Sequence, residues 1–136
     1  MESTAVSELL ASYPADAAKK LREVRNLIVE TAKEMEDVTR LLETTKWGEP
    51  SYVSKTGSTI RMDWKEKTPE KYYLYFICST ELVSTFKIIF GDELVFEGNR
   101  AIVLDLKDPI PTGVLRKCLG LALRYHKVKH LPMLGV

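Results

Sequence analysis

Hydrophobic residues recur along the chain with two different periods, and the periods separate helical from strand-forming regions. Between residues 16 and 35, apolar residues recur at steps of three and four, which predicts an amphipathic helix with one buried stripe. A shorter pattern over residues 3–12 predicts that the first part of the chain, 1–15, is either a short helix or an N-terminal extension. Tyr13-Pro14 separates the two segments as a boundary signal.

The middle of the chain is rich in β-branched and aromatic residues separated by turn formers, which predicts a series of strands. Apolar and polar residues alternate over 59–64, as expected of a strand with one buried face. A corner is predicted at Gly48-Glu49-Pro50 and a second turn at residues 55–58. The other predicted strands cover residues 39–47, 51–54, 72–79, 94–96 and 100–106. Helical spacing over 81–90 predicts a short helix that ends at Gly91.

The last predicted element is a helix over residues 112–129, which ends before Pro132. Its predicted buried face consists of Leu115, Cys118, Leu119, Ala122 and His126. Strands joined by short connections between two terminal helices predict an α+β fold. We expect an antiparallel sheet of about five to six strands, flanked by an N-terminal and a C-terminal helix.

The length and the net charge of the chain limit the classes of protein to which it can belong. A chain of 136 residues with 45% hydrophobic content fits a single domain spanning 1–136. Twenty basic and nineteen acidic residues give a net charge of +1, which favours neither nucleic acid nor an anionic membrane as a partner. Signal-peptide and membrane-spanning patterns are both missing, so the expected location is the cytoplasm. Composition does not distinguish a monomer from a homodimer.

Cysteine and histidine residues give weak indications of chemistry. Cys78 and Cys118 lie in apolar or periodic contexts without a CxxC spacing, so both are predicted to be reduced, buried thiols. His126 and His130 are four residues apart, but the glutamate of an HExxH metal motif is missing between them. Neither a nucleotide-binding nor an acyl-transfer motif is present. The sequence therefore favours a binding protein over an enzyme.

Acidic residues of the long predicted helix fall on one side of it. At about 100° per residue, they lie within an arc of roughly 60°. This acidic stripe consists of Asp16, Glu23, Glu30, Glu34 and Asp37. Stacked carboxylates suit hard cations such as Mg²⁺, Ca²⁺ or iron. Alternatively, the stripe is a solvated helix face that basic neighbours neutralise.

A second candidate site combines aromatic and charged residues from several predicted strands. If the strands bring them to one surface of the sheet, they would suit a small ligand or a peptide. The candidates are Trp47, Glu49, Tyr52, Arg61, Trp64 and Arg100, with Asp63, Glu97 and Asn99 nearby. Alternatively, the charges form local ion pairs and the glycines only permit tight corners. An enzyme at this site would use Glu49 or Asp63 as its general acid or base.

Four segments of the chain resemble a known family. ETTKWGEPSY, GSTIRMDW, FEGNRAI and ALRYHKVKHLPMLG are together similar to the YdhG-like family of small bacterial domains of unknown function. KWGEPSY and EGNRAI are the most specific parts, and the likeness extends over residues 16–135. The resemblance implies a frataxin-like α+β fold.

One branch of that family is described as an intracellular iron chaperone that supplies iron for iron–sulfur cluster or haem assembly. The resemblance therefore implies weak iron binding by Glu23, Glu30 and Glu34, with a partner protein that accepts the iron. The alternative function is a small-ligand or protein-interaction module without a metal role. Such a module would use the surface that carries Trp47, Tyr52, Arg61 and Arg100.

Overall fold

Helices occupy both ends of the chain and a six-stranded antiparallel sheet lies between them in the computed structural model, which describes residues 3–136. The helices are α1 (Thr4–Ser12), α2 (Ala15–Lys33), α3 (Leu82–Phe90), α4 (Thr112–Leu123) and α5 (Tyr125–Val128), followed by a 3₁₀ turn at Pro132–Gly135. The strands are β1 (Leu41–Lys46), β2 (Glu49–Ser54), β3 (Ile60–Trp64), β4 (Lys71–Tyr75), β5 (Val95–Glu97) and β6 (Ala101–Asp105). Their order in the sheet is β1-β2-β3-β4-β6-β5. The predicted α+β class is confirmed.

The N-terminal helices follow the hydrophobic pattern closely. Ser3 caps α1, since its hydroxyl accepts a hydrogen bond from the Val6 N–H at 3.3 Å. The α2 helix buries its predicted stripe against the sheet and against α4. No helix within residues 3–136 combines the length and the apolar character that crossing a membrane requires.

The sheet has two different faces because side chains alternate along each strand. On β4, Tyr72 and Leu74 point into the main core beneath the helices. Tyr73 and Tyr75 point to the opposite side, where Ala101 completes a small second cluster. We call this opposite side the open face.

The turn between β1 and β2 lies one residue earlier than predicted. Lys46 pairs with Glu49, so Trp47 and Gly48 form a two-residue turn with φ of 55° and 73°. Positive φ at both central positions is the geometry of a type I′ hairpin. The prediction of a corner at Gly48-Glu49-Pro50 is wrong, because Glu49 and Pro50 already belong to β2.

Two further predictions are corrected by the structure. The strand predicted over 72–79 ends at Tyr75, which leaves Cys78 exposed in a loop rather than buried. Cys118 is buried as predicted, and burial raises the pKa of its thiol to about 12. The helix predicted over 112–129 breaks at Arg124, whose φ and ψ are −114° and 15°. His126 therefore lies in the short α5 helix and is exposed instead of facing the core.

Candidate functional site

Charged and aromatic side chains meet at the centre of the open face. The strand register is the cause, since Arg61 pairs with Tyr75 and Asp63 pairs with Tyr73 between β3 and β4. Tyr75 in turn pairs with Ala101, the neighbour of Arg100. We call this group the open-face cluster; its members are Glu49, Arg61, Asp63, Lys65, Tyr73, Tyr75 and Arg100.

Two stacked tyrosine rings form the floor of the open-face cluster. The rings of Tyr73 and Tyr75 are nearly parallel, with an interplanar angle of 6° and centroids 5.8 Å apart. Each tyrosine is only 3% exposed, although no helix within the described residues 3–136 covers this face. The charged side chains around the rings supply the missing cover.

Three cations lie over these rings. The Lys65 ammonium is 4.7 Å from the Tyr73 centroid and 5.3 Å from the Tyr75 centroid. The guanidinium carbons of Arg61 and Arg100 are 6.0 Å and 5.5 Å from the Tyr75 centroid. Cations at such distances are attracted by the ring face. The Tyr75 ring is therefore the point on which the positive charges of the cluster converge.

Two polar atoms in the cluster are buried without a hydrogen-bond partner among the described residues. They are Glu49 Oε1 and the Tyr75 hydroxyl. The nearest guanidinium nitrogen of Arg61 is 3.7 Å from Glu49 Oε1, too far for a hydrogen bond. A buried polar atom without a partner costs about 1–3 kcal/mol. The cluster therefore contains one acceptor and one hydroxyl that make no hydrogen bond within residues 3–136.

The environment of Glu49 disfavours its charged form. Burial raises the pKa of the Glu49 carboxyl, and the neighbouring Asp63 raises it further, while Arg61 and Lys65 oppose both effects. Burial likewise raises the pKa of Tyr75, against the influence of Lys65. A raised pKa is what a carboxyl needs to act as a general acid or base, so an enzymatic function would use Glu49.

Asp63 connects the cluster to the N-terminal helices. The Tyr13 hydroxyl, from the segment between α1 and α2, donates a hydrogen bond to Asp63 Oδ1 at 2.7 Å. Burial raises the pKa of Tyr13, and the hydrogen bond to Asp63 raises it further.

The pairing between β2 and β3 includes only Ser51 with Arg61 and Tyr52 with Ile60. This β2–β3 pairing ends next to Pro50, because proline has no N–H to donate to the neighbouring strand.

The structure separates the six aromatic and charged residues that the sequence suggested as a ligand site. Glu49, Arg61 and Arg100 belong to the open-face cluster. Tyr52 is fully buried on the helix side, where its hydroxyl donates a hydrogen bond to Glu43 Oε2 at 2.7 Å.

The two tryptophans of that set also lie outside the cluster. Trp64 packs against Tyr13 with ring centroids 6.1 Å apart, and its indole N–H donates to the Pro69 carbonyl at 2.9 Å. Trp47 is 88% exposed at the tip of the β1–β2 hairpin. Asn99, in the β5–β6 turn, accepts a hydrogen bond from Lys87 at 3.2 Å. Glu97 lies beside Ala101 at the β5 edge.

Sequence reasoning missed three members of the cluster, which are Lys65, Tyr73 and Tyr75. The strand predicted over 72–79 begins with YYLYF, and the aromatic residues of this segment alternate between the two faces of the sheet. Period-two alternation was therefore the signal that could have placed Tyr73 and Tyr75 opposite the core. Lys65 directly follows β3, and the sequence alone does not show which residues it approaches.

Three members of the acidic stripe, Glu30 on α2 and Glu34 and Asp37 beyond its end, lie next to arginines. Arg116 of α4 forms an ion pair with Glu34 and lies 3.9 Å from Glu30 Oε2. Arg124 donates a hydrogen bond to Asp37 at 2.8 Å, which lowers the pKa of that carboxyl. Across residues 3–136, no three or more His, Cys, Asp or Glu side chains are grouped so that they could hold a metal ion.

Comparison with known proteins gives no relative: no family model, no curated protein and no solved structure matches this chain. The YdhG-like resemblance accordingly stays a prediction. The geometry of the open-face cluster carries the functional proposal.

Proposed function

We propose that this protein binds a small zwitterionic molecule of the amino-acid class at the open-face cluster. The supporting observation is that two buried atoms, Glu49 Oε1 and the Tyr75 hydroxyl, have no hydrogen bond within residues 3–136, and that three cations surround the Tyr75 ring. The ligand's ammonium group donates to Glu49, and its carboxylate accepts from Tyr75. Arg61 and Arg100 provide the positive charge that a carboxylate prefers.

The two complementary charges of such a ligand match the charges of the cluster. Cations and carboxylates lie next to one another in the cluster. A ligand with only one sign of charge would therefore lie beside a residue of the same charge. The Glu49 carboxylate is close enough to contribute to the raised pKa of Tyr75, although burial is the larger cause. A molecule whose charged groups are a few bonds apart can therefore contact both Glu49 and Tyr75. It gains access when the flexible Lys65 and Arg100 side chains move off the rings.

Tyr75→Phe provides the first test. Within residues 3–136, the removed hydroxyl makes no hydrogen bond of good geometry and interacts with the flexible Lys65 side chain, so we expect little change in stability. Affinity for the ligand falls about tenfold, because a hydrogen bond worth about 1.4 kcal/mol is lost. Binding is measured by ¹⁵N NMR with a mixture of the standard amino acids as the probe, and then with each member alone.

Tyr73→Phe is the matched control. The Tyr73 hydroxyl is hydrogen-bonded to the Thr68 hydroxyl at 2.9 Å, so its removal lowers stability and leaves affinity unchanged. Equal affinities of the two variants, or the lack of any amide shift on β2, β3 and β4 with all amino acids, would contradict the proposal.

The affinity is expected to depend on pH through Glu49. The carboxylate accepts from the ligand's ammonium only when it is ionised. Because the pKa of Glu49 is raised, affinity is full above that pKa and declines as the pH falls through it. The decline therefore begins above the ordinary carboxyl range of about 4.3. Glu49→Gln removes this pH dependence, whereas Glu70→Gln, on an exposed loop residue, retains it.

Iron chaperoning, which the YdhG-like resemblance implies, is supported by three exposed carboxylates, Glu23 and Glu30 on α2 and Glu34 at its C-terminal end, and opposed by Arg116. An iron ion at Glu30 and Glu34 would compete with that guanidinium. Titration with Fe²⁺ under anaerobic conditions tests it. Shifts of α2 amides that vanish when Glu23, Glu30 and Glu34 are all changed to alanine would support this role. A lack of shifts at about millimolar Fe²⁺ would exclude it.

A further inference from the structure

We propose a second binding site, at the outer edge of β1, where an extended acidic peptide segment of a partner protein adds a strand to the sheet. This mode of recognition uses the unpaired backbone groups of an edge strand for affinity and exposed side chains for specificity. Backbone geometry, exposed apolar side chains and the local charges each support it. The site is independent of the open-face cluster.

The outer edge of β1 offers free backbone groups in a regular arrangement. β1 has six residues, whereas β5 at the opposite edge has three. Lys46 and Glu49 close the two-residue turn, and Thr45 lies opposite Pro50, which has no N–H. Alternation then directs the backbone groups of Leu41, Glu43 and Thr45 outward. Within residues 3–136, these groups take no part in a hydrogen bond outside the β1–β2 ladder.

Exposed apolar side chains flank this edge at both ends. Leu42 is 53% exposed and Trp47 is 88% exposed. Trp47 also adopts left-handed backbone geometry, which is unfavourable for a residue with a Cβ. Asparagine, aspartate or glycine is the usual occupant of that position in a type I′ turn. An exposed tryptophan in strained geometry serves neither the turn nor the core, but exposed tryptophans are typical anchors of interfaces.

The charges along the edge select an acidic partner. Arg40 and Lys46 are exposed at its two ends, whereas the one carboxylate of β1, Glu43, is buried in an ion pair with Arg25. A second copy of this chain is a poorer occupant. Antiparallel pairing of two β1 strands about Glu43 would bring Arg40 of one copy opposite Lys46 of the other, and like charges in that position repel.

Trp47→Asn separates the role of the indole from that of the turn. Asparagine accepts left-handed geometry, so we expect the midpoint of urea unfolding to shift to a higher urea concentration. We also expect loss of peptide binding. Gly98, in the β5–β6 turn, is likewise at positive φ, so Gly98→Asn is a control that leaves binding unchanged.

The probe is a blocked peptide of alternating valine and threonine with an aspartate at each end. On addition to the ¹⁵N-labelled protein, hydrogen exchange should slow at the outward amides of β1, and the Trp47 fluorescence should change. The same peptide with lysine at each end should bind at least tenfold more weakly, by roughly the strength of one good charge pair. The double variant Arg40→Glu/Lys46→Glu should reverse this preference, and both residues are exposed.

Three outcomes would overturn the proposal. They are equal affinity for both peptides, a lack of protection at about millimolar peptide, and protection of the same amides by self-association without peptide. Tyr75→Phe should leave peptide binding intact, so failure of the amino-acid site and failure of the β1 edge are distinguishable.

Discussion

Replacement of Arg25 by methionine is expected to lower the free energy of unfolding by about 3–5 kcal/mol. Arg25 on α2 donates two hydrogen bonds to the Glu43 carboxylate on β1, at 2.6 Å and 2.5 Å. Both residues are buried, at 8% and 7% exposure. Methionine matches the aliphatic part of the arginine but leaves the Glu43 carboxylate in the interior without a counter-charge. That orphaned charge causes most of the expected loss.

The same carboxylate joins four elements of the fold. Glu43 also accepts hydrogen bonds from the Tyr52 hydroxyl on β2 at 2.7 Å and from the Ser3 N–H before α1 at 2.6 Å. After loss of the guanidinium, the donors to this carboxylate that remain among residues 3–136 are neutral. Replacing Glu43 with leucine in the Arg25→Met background should therefore restore part of the stability, because the double variant buries no unpaired charge.

Urea unfolding at neutral pH measures these differences. The matched control is Arg116→Met, which breaks an exposed arginine–glutamate pair with Glu34 and should cost less than about 1 kcal/mol. A loss in Arg25→Met no larger than in Arg116→Met would contradict the structural importance of the buried pair.

Low pH should weaken the interaction between Arg25 and Glu43. Burial acts to raise the pKa of Glu43, but the hydrogen bonds from Arg25, the Ser3 N–H and Tyr52 outweigh it, and the net pKa is lowered. A carboxyl with a lowered folded-state pKa stabilises the fold above its unfolded-state pKa. That stability is lost as the pH falls through the folded-state value. The wild-type protein should therefore lose stability below about pH 4.3 more steeply than Glu43→Gln does.

The elements that local pattern specifies were predictable from the sequence. The spacing over residues 16–35 predicted α2, and the alternation over 59–64 predicted β3, because each pattern reports one buried face. The break at Arg124 has no counterpart in periodicity, so α4 was predicted too long and His126 was placed in the core. The exposure of Cys78 depends on where β4 ends, which an apolar run does not show.

The candidate site was predictable only in part, because a residue belongs to the open-face cluster only if its side chain lies on the open face of the sheet. A shift of one residue in a turn transfers every following side chain of the strand to the other face. Since Trp47 and Gly48 form the turn, Glu49 points to the open face and Tyr52 to the core. The sequence analysis placed both in one site because it expected several strands to bring them to one surface of the sheet. Alternation could have placed Tyr75 on the open face, but its pairing with Arg61 depends on the strand register, which the sequence does not show.

Replacement of Gly57 by alanine is expected to lower the free energy of unfolding by about 2–4 kcal/mol. Gly57 lies in the turn between β2 and β3, where a Cβ would lie 2.5 Å from the Leu123 carbonyl oxygen. The same Cβ would lie 2.6 Å from both the Ala122 carbonyl oxygen and the Ser54 hydroxyl. Two of these three atoms belong to the backbone, so no side-chain rotation relieves the clash. Its φ is not positive, so the cost is steric.

The clash would also uncouple the turn from the end of α4. The last carbonyls of a helix lack hydrogen-bond donors within the helix. The turn between β2 and β3 supplies donors to the last carbonyls of α4. The Ser58 N–H donates to the Ala122 carbonyl at 2.9 Å, and the Thr56 hydroxyl donates to the Leu123 carbonyl at 2.9 Å. A backbone shift that accommodates alanine stretches these hydrogen bonds. We therefore expect faster amide exchange in the last turn of α4 as well as lower stability.

Gly113→Ala is the matched control, because it makes the same chemical change where space allows it. No atom lies within 4 Å of a Cβ built on Gly113, near the start of α4, and its φ is not positive. Alanine there reduces the conformational freedom of the unfolded chain and should stabilise the fold by about 0.4–1 kcal/mol. The two glycine variants should therefore change stability in opposite directions in urea unfolding. Equal effects would show that close approach of the turn to α4 is not what requires glycine at position 57.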